Sequence, residues 1–177
     1  MQIQLSQKER MLLEDQKNHE QICIQKYTNY ANQTQCPQLK QIFNNNAQAE
    51  RNHLDSINQL LSGKVPQMNQ QQNQSSGQAM GNQGLTSNMS TMGSMSNMGN
   101  MSNMSNAQQI SATNKDSDMC TDMLMTEKYV SGAYDTAIFE FKNPQVRDVL
   151  NHIQKEEQKH GEAIFKYMES KGMYKVQ

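Results

Sequence analysis

Two copies of a Glu-x-x-His motif have the residue types and spacing best suited to chemistry in this chain. Each copy has a further glutamate 30 residues before the glutamate of the motif. Glutamate and histidine three positions apart share a helical face, with about 5–6 Å between their Cβ atoms. That face is otherwise apolar in both copies, and ionised carboxylates converging there would be strongly unfavourable unless cations neutralised them. The pattern therefore predicts a site for two divalent metal ions with six ligands: Glu20, Glu50, His53, Glu127, Glu157 and His160.

The two motifs belong to an internal repeat whose halves match at a constant offset of 107 residues without a gap. Between residues 20 and 57, eight of 38 positions are identical in the second half, and these include the three potential ligands. One glutamate from each of two helices, with Glu-x-x-His from each of the other two, is a known di-metal arrangement in helix bundles. The repeat therefore favours one assembled site over two unrelated motifs.

A metal-free interpretation stays open from the residues alone. A single Glu-x-x-His on a helix usually places a solvated glutamate beside a half-buried histidine. In that interpretation Glu50 pairs with Arg51, and Glu157 pairs with Lys159.

Two tyrosines also recur in the repeat, seven residues after the upstream glutamates. We expect Tyr27 and Tyr134 to pack in the core with each hydroxyl bonded to a carboxylate of the site, because a buried tyrosine hydroxyl needs a partner. The remaining histidines, His19 and His152, have no matched counterpart and are predicted to be surface residues.

The first two ligand-bearing helices are predicted within residues 6–61. Ser6 and Glu9 form the Ser-x-x-Glu pattern of a capping box, which marks the start of a helix. Pro37 suits the first turn of the second helix, where its missing N–H costs nothing. Ser62 and Gly63 are predicted to end this helix. The short connection makes the pair an antiparallel hairpin.

A second helical hairpin is predicted for residues 116–171. Asp116, Ser117 and Asp118 can cap the start of its first helix, and the Asn143-Pro144 pair is typical of the start of the second. Gly172 follows the last residue of the pattern. Each half thus carries one glutamate on its first helix and the Glu-x-x-His motif on its second.

Residues 65–114 between the hairpins are low in complexity. No charged residue lies between Lys64 and Lys115, and this window holds eight of the 15 methionines. Apart from these methionines the segment has few apolar residues, and their burial cannot offset the entropy lost when the chain is ordered. We therefore predict a disordered linker. Thioether ligation of Cu(I), a sink for oxidants and an interaction segment are alternative roles.

Composition excludes several classes of protein. A net charge of −1 and a pI near 6.4 lack the basic footprint of a nucleic-acid-binding protein. No secretory signal is visible, and no run approaches the roughly 20 apolar residues that cross a membrane. The cysteines, Cys23, Cys36 and Cys120, are odd in number and lack metal-type spacing. Their number and spacing are consistent with synthesis in a reducing compartment. We expect them to be small, half-buried residues on helices.

These motifs resemble those of the ferritin-like superfamily, in particular its rubrerythrin and manganese-catalase branch. The segments Asp122–Val130 and Asn143–Gly161 are also similar to the Coat F domain of endospore-forming bacteria. The resemblance implies an all-α, ferritin-like antiparallel four-helix bundle with one long crossover linker. It further implies a protein made in the mother cell and deposited in the spore coat, where it would contact other coat proteins or itself.

The resemblance also implies roles for the ligands. Glu50 and Glu157 would bridge two ions of iron or manganese, or of zinc, with Glu20 and Glu127 as terminal or shifting carboxylates. His53 and His160 would be terminal ligands. The chain has no Cys-x-x-Cys pair, so the rubredoxin-like iron centre of full rubrerythrins is absent and a redox cycle would need an external reductant.

Three functions follow from these observations. We expect a structural spore coat protein that retains a di-metal site. The alternative is a di-iron or di-manganese peroxidase or catalase, and the third possibility is a metal-free bundle with a relict polar core. Fold alone does not establish chemistry.

Overall fold

The computed structural model describes residues 2–67 and 102–174, with side chains up to residue 67 and from residue 113 onward. In these ranges the chain forms four helices and no strand, which confirms the all-α prediction. The helices are α1 (Gln7–Gln33), α2 (Pro37–Leu61), α3 (Ser102–Glu140) and α4 (Pro144–Ser170).

The ends of α1 and α2 lie where the local sequence signals predict them. Ser6 and Glu9 form both hydrogen bonds of the capping box. Pro37 occupies the first turn of α2, and Gly63 follows its end with a φ of +84°, a conformation that favours glycine. The backbone N–H of Ile3 donates to the Gly63 carbonyl oxygen at 2.8 Å, so the chain start lies against the end of α2.

The start of α3 differs from the sequence prediction. The helix begins at Ser102 rather than near Asp116, so residues 102–114 are helical and the prediction that they belong to the linker is wrong. Asp116 lies inside the helix and is buried instead of capping it. Once the packed part of a helix exists, each added residue costs little, so the helix extends back past Asp116 although serine and asparagine are frequent there. Of the rest of the predicted linker, residues 65–67 are non-helical and 68–101 lie outside the described residues.

The hairpins pack against each other around one core. Short loops at 34–36 and 141–143 make each hairpin antiparallel, and contacts of α1 with α3 and of α2 with α4 join the two. The largest fully buried side chains come from all four helices: Leu13, Gln16, Tyr27, Leu39, Phe43, Ile57, Leu60, Met123, Tyr134, Leu150, Ile153 and Ile164.

Glu9 also ties the two hairpins together at one end of the bundle. Its Oε2 accepts from the backbone N–H of Ser6 at 2.7 Å, and its Oε1 accepts from the backbone N–H of Lys142 at 3.0 Å. Although burial alone would raise the pKa of Glu9, these hydrogen bonds hold it below its usual value.

Replacing Glu9 with alanine is expected to lower the free energy of unfolding by about 1–2 kcal/mol, because a cap and a loop contact are lost together. Urea denaturation measures this. Because the pKa is lowered on folding, the charge-dependent part of the contribution should be lost as the pH falls through the folded-state pKa. Glu9→Gln keeps an acceptor but should lack that pH dependence. An alanine variant as stable as the unchanged protein would contradict this role.

Candidate metal centre

All six predicted ligands meet in the middle of the bundle. Glu20 comes from α1, Glu127 from α3, and one Glu-x-x-His pair from each of α2 and α4. All six are buried, with exposed fractions of 0–6%. Their convergence follows from helical periodicity, because each ligand continues the apolar stripe that packs its helix into the core.

The ligand atoms form two groups, in each of which the atoms all lie within 4.8 Å of one another. The first group contains Glu20, Glu50, His53 and Glu157. The second contains Glu50, Glu127, Glu157 and His160. Glu50 and Glu157 therefore belong to both groups, whereas each of the other four residues belongs to one.

Each histidine presents Nδ1 to three carboxylates. His53 Nδ1 lies 3.1 Å from Glu50 Oε2, 3.1 Å from Glu157 Oε1 and 3.5 Å from Glu20 Oε2. The second group mirrors it. His160 Nδ1 lies 3.1 Å from Glu50 Oε1, 3.3 Å from Glu157 Oε2 and 3.8 Å from Glu127 Oε2. A single N–H at each Nδ1 cannot serve three oxygens.

Three buried carboxylate oxygens are consequently left without a hydrogen bond: Glu20 Oε2, Glu127 Oε2 and Glu157 Oε1. An unsatisfied buried polar group costs about 1–3 kcal/mol, and a charged one costs more. All three oxygens belong to residues of the two ligand groups. Carboxylate oxygens and imidazole nitrogens are also the donors that iron, manganese and zinc accept, so the residues fit metal ions.

Without metal, protons balance the charges of the cluster. Burial raises the pKa of Glu20 and of Glu127 well above the usual value. Hydrogen bonds from the histidines overcome the effect of burial at Glu50 and Glu157, where the pKa is lowered. Hydrogen bonds to these carboxylates, working against burial, raise the pKa of His160 to about 9. Metal binding has to displace such protons.

Both tyrosines are buried in the core, as predicted, and each hydroxyl bonds to a carboxylate from the other half of the repeat. The Tyr27 hydroxyl donates to Glu127 Oε1, and the Tyr134 hydroxyl donates to Glu20 Oε1. Each tyrosine thus holds the glutamate of the other half of the repeat. Asn46 adds a hydrogen bond to the Tyr27 hydroxyl at 3.0 Å.

Tyr134→Phe is expected to reduce stability by about 1–3 kcal/mol, because Glu20 Oε1 loses its donor in a buried position. Tyr27→Phe should cost more, since it also leaves the Asn46 amide without its acceptor. Thermal unfolding of the two variants measures this order. Variants as stable as the unchanged protein would show that these hydrogen bonds contribute nothing.

Sequence reasoning missed Glu156. Its Oε2 lies 2.9 Å from His53 Nε2, the ring nitrogen opposite the one that faces the carboxylates. A hydrogen bond from Nε2–H leaves Nδ1 free to act as a ligand. The repeat could not reveal this residue, because the equivalent position in the first half is Ala49.

The ion pairs of the metal-free interpretation, Glu50 with Arg51 and Glu157 with Lys159, are not formed. Glu50 and Glu157 contact the histidines, while Arg51 bonds to the Ala47 carbonyl oxygen at 3.2 Å.

The remaining histidines and the cysteines lie outside the two ligand groups. His152 is exposed as predicted, but His19 is half-buried, with its ring 5.4 Å from that of Tyr129. Tyr129 of α3 therefore covers part of the His19 ring. The three cysteines are free, two of them buried.

Comparison with known proteins bears on the second hairpin. The family model of the Coat F domain matches residues 115–177. This match covers most of α3 and all of α4, and it supports the resemblance to spore coat proteins. No curated protein and no solved structure matches the chain significantly. Among the described helices, none is long and apolar enough to span a membrane.

Proposed function

We propose that this protein is a structural component of the spore coat whose ferritin-like four-helix bundle holds two divalent metal ions. The Coat F match supports the coat assignment. The two ligand groups that share Glu50 and Glu157 are the observation that carries the metal site. Glu20 and His53 would complete one ion site, and Glu127 and His160 the other.

The metal ions would stabilise the bundle. Ligands from all four helices meet at the cluster, so ions bound there hold both hairpins together. Because the cluster forms only in the folded chain, the free energy of metal binding adds to the free energy of folding. This suits a protein of the spore coat that works by assembly with other coat proteins or with itself.

Metal analysis tests the proposal. The purified full chain is stripped with a chelator, loaded separately with Fe²⁺, Mn²⁺ or Zn²⁺, desalted, and measured by plasma mass spectrometry. Two ions per chain are expected with at least one of the metals. Absence of bound metal after every loading would contradict the metal site and leave a metal-free bundle with a relict polar core as the remaining explanation. For the coat assignment, an antibody should detect the protein in coat extracts of purified spores, and its restriction to mother-cell lysate would contradict that assignment.

A di-iron or di-manganese peroxidase or catalase is the second candidate. A pocket lined in part by Glu127 and Glu157 favours it, because small molecules could reach the cluster there. When bound, two redox-active ions would supply electron transfer to peroxide. Peroxide consumption by the loaded protein, with an added reductant for the peroxidase reaction, separates this activity from a purely structural role.

Glu156→Ala is expected to weaken binding of one of the two ions about 10–100-fold, because His53 loses the partner that orients it. Competition with a chromophoric chelator measures both affinities. Glu169→Ala, at an exposed position of the same helix, is the matched control and should leave both unchanged. Equal weakening of both ions would contradict a role through His53 alone.

A further inference from the structure

A pocket of about 570 Å³ lies between α3 and α4 and extends to the cluster of buried carboxylates and histidines. Its outer part is lined by exposed side chains such as Lys128, Gln158 and Glu162. Its inner part is lined by the buried Glu127 and Glu157. These two residues supply two of the three buried carboxylate oxygens that lack a hydrogen bond. The pocket therefore extends from solvent to the two residues that carry these oxygens.

Gly161 and Ser131 leave room in the wall of this pocket. A Cβ at Gly161 would lie 3.9 Å from Leu124 Cδ2 and 4.0 Å from Glu127 Cβ, so a longer side chain there would extend into the pocket. Glycine inside a helix is less stabilising than alanine. The backbone here would accept alanine without a clash, so the fold itself does not require glycine at this position.

The first half of the repeat is built differently at the same positions. At the offset of 107 residues, Gly161 corresponds to Leu54 and Ser131 to Ile24. Both aliphatic side chains are half-buried on the α1–α2 hairpin. Two large side chains thus stand on one side of the bundle where the other side has a glycine and a serine.

The exposure of the ligands follows this asymmetry. Glu127 and His160 have exposed fractions of 3% and 6%, whereas their counterparts Glu20 and His53 have 0% and 3%.

We propose that divalent metal ions reach and leave the cluster through the α3–α4 pocket, with Gly161 keeping that route open. This inference rests on the proposed metal site. The pocket already carries an ion between α3 and α4 as far as Glu127 and Glu157, whereas a path through packed side chains elsewhere needs a local opening of the bundle along its whole length. The first potential ligands on this route are the carboxylates of Glu127 and Glu157, and each has one buried oxygen without a hydrogen bond.

The rate of metal uptake tests the route. Metal-free full-length protein is mixed with Co²⁺ in a stopped-flow instrument, and binding is followed by the visible absorbance of the ion. Release is followed by adding a chelator to loaded protein. Gly161→Leu introduces the residue of the first half, and Gly161→Ala is a milder variant that the backbone accepts. Gly132→Leu is the matched control, since a Cβ at this exposed helical glycine has no neighbour within 4 Å.

Gly161→Leu is expected to slow both uptake and release about tenfold or more, because ions then depend on local opening of the bundle. The rates of Gly161→Ala should lie between those of Gly161→Leu and the unchanged protein, and the rates of Gly132→Leu should equal those of the unchanged protein. The final stoichiometry should stay at two ions per chain in all of them. Unchanged rates in Gly161→Leu with two ions bound would overturn the route and leave the metal site intact. Absence of Co²⁺ binding by the unchanged protein, together with failure of Fe²⁺, Mn²⁺ and Zn²⁺ loading, would overturn both.

Discussion

Glu157→Gln is expected to remove both metal ions, whereas Glu127→Gln is expected to remove only one. Glu157 belongs to both ligand groups, and Glu127 belongs to one. Glutamine keeps the size of the side chain but removes the negative charge that a bound cation requires. Plasma mass spectrometry of loaded and desalted variants should therefore give about two, one and no ions per chain for the unchanged protein, Glu127→Gln and Glu157→Gln.

The control for this series is Glu169→Gln, which removes a charge from an exposed position of the same helix and should keep two ions. Circular dichroism of the metal-free variants verifies that they fold. Because the histidines hold the pKa of Glu157 below its usual value against the effect of burial, its neutralisation should itself destabilise the metal-free chain, so folding is verified at the temperature used for loading. If Glu157→Gln folds and still binds two ions, Glu157 does not serve both sites.

Removal of the metal ions is expected to lower the thermal stability of the unchanged protein substantially. At a free metal concentration about a thousandfold above Kd, one site contributes about 4 kcal/mol of stability. For a chain of 177 residues that corresponds to a decrease in Tm of about 8–16 °C per site. Calorimetry of the loaded protein, before and after chelation, measures the decrease.

The variant Glu157→Gln serves as the reference for this experiment. Because it should bind no metal, chelation should leave its Tm unchanged. A loaded protein that carries two ions but unfolds at the same temperature after chelation would contradict the structural role. The peroxidase or catalase candidate would then be the better explanation of a retained metal site.

The helix boundaries that could be predicted are those encoded within a few residues. The Ser6–Glu9 capping box, Pro37 and Gly63 act through local hydrogen bonds or backbone preferences, so a short stretch of sequence is sufficient to locate them. The start of α3 could not be found in this way. Asp116 has the chemistry of a cap, yet it is buried within a helix that extends back to Ser102.

In the candidate site, too, some features could be predicted from the sequence and others could not. The convergence of the six ligands could be predicted because the repeat places each on the apolar stripe of a helix. The role of Glu156 at His53 could not, because it depends on how α4 meets α2 across the bundle. The crossed bonds of Tyr27 and Tyr134 also depend on packing between the hairpins. The importance of Gly161 becomes visible only when the pocket beside it is known.

Anomalous diffraction from crystals of the metal-loaded full chain tests the central claim most directly. Data collected on either side of the absorption edge of the bound metal identify the element and locate each ion. We predict two peaks about 3.5–4 Å apart among the six ligands, with Glu50 and Glu157 contacting both. Loaded crystals with no peak inside the bundle, or with metal only at surface residues, would contradict the claim.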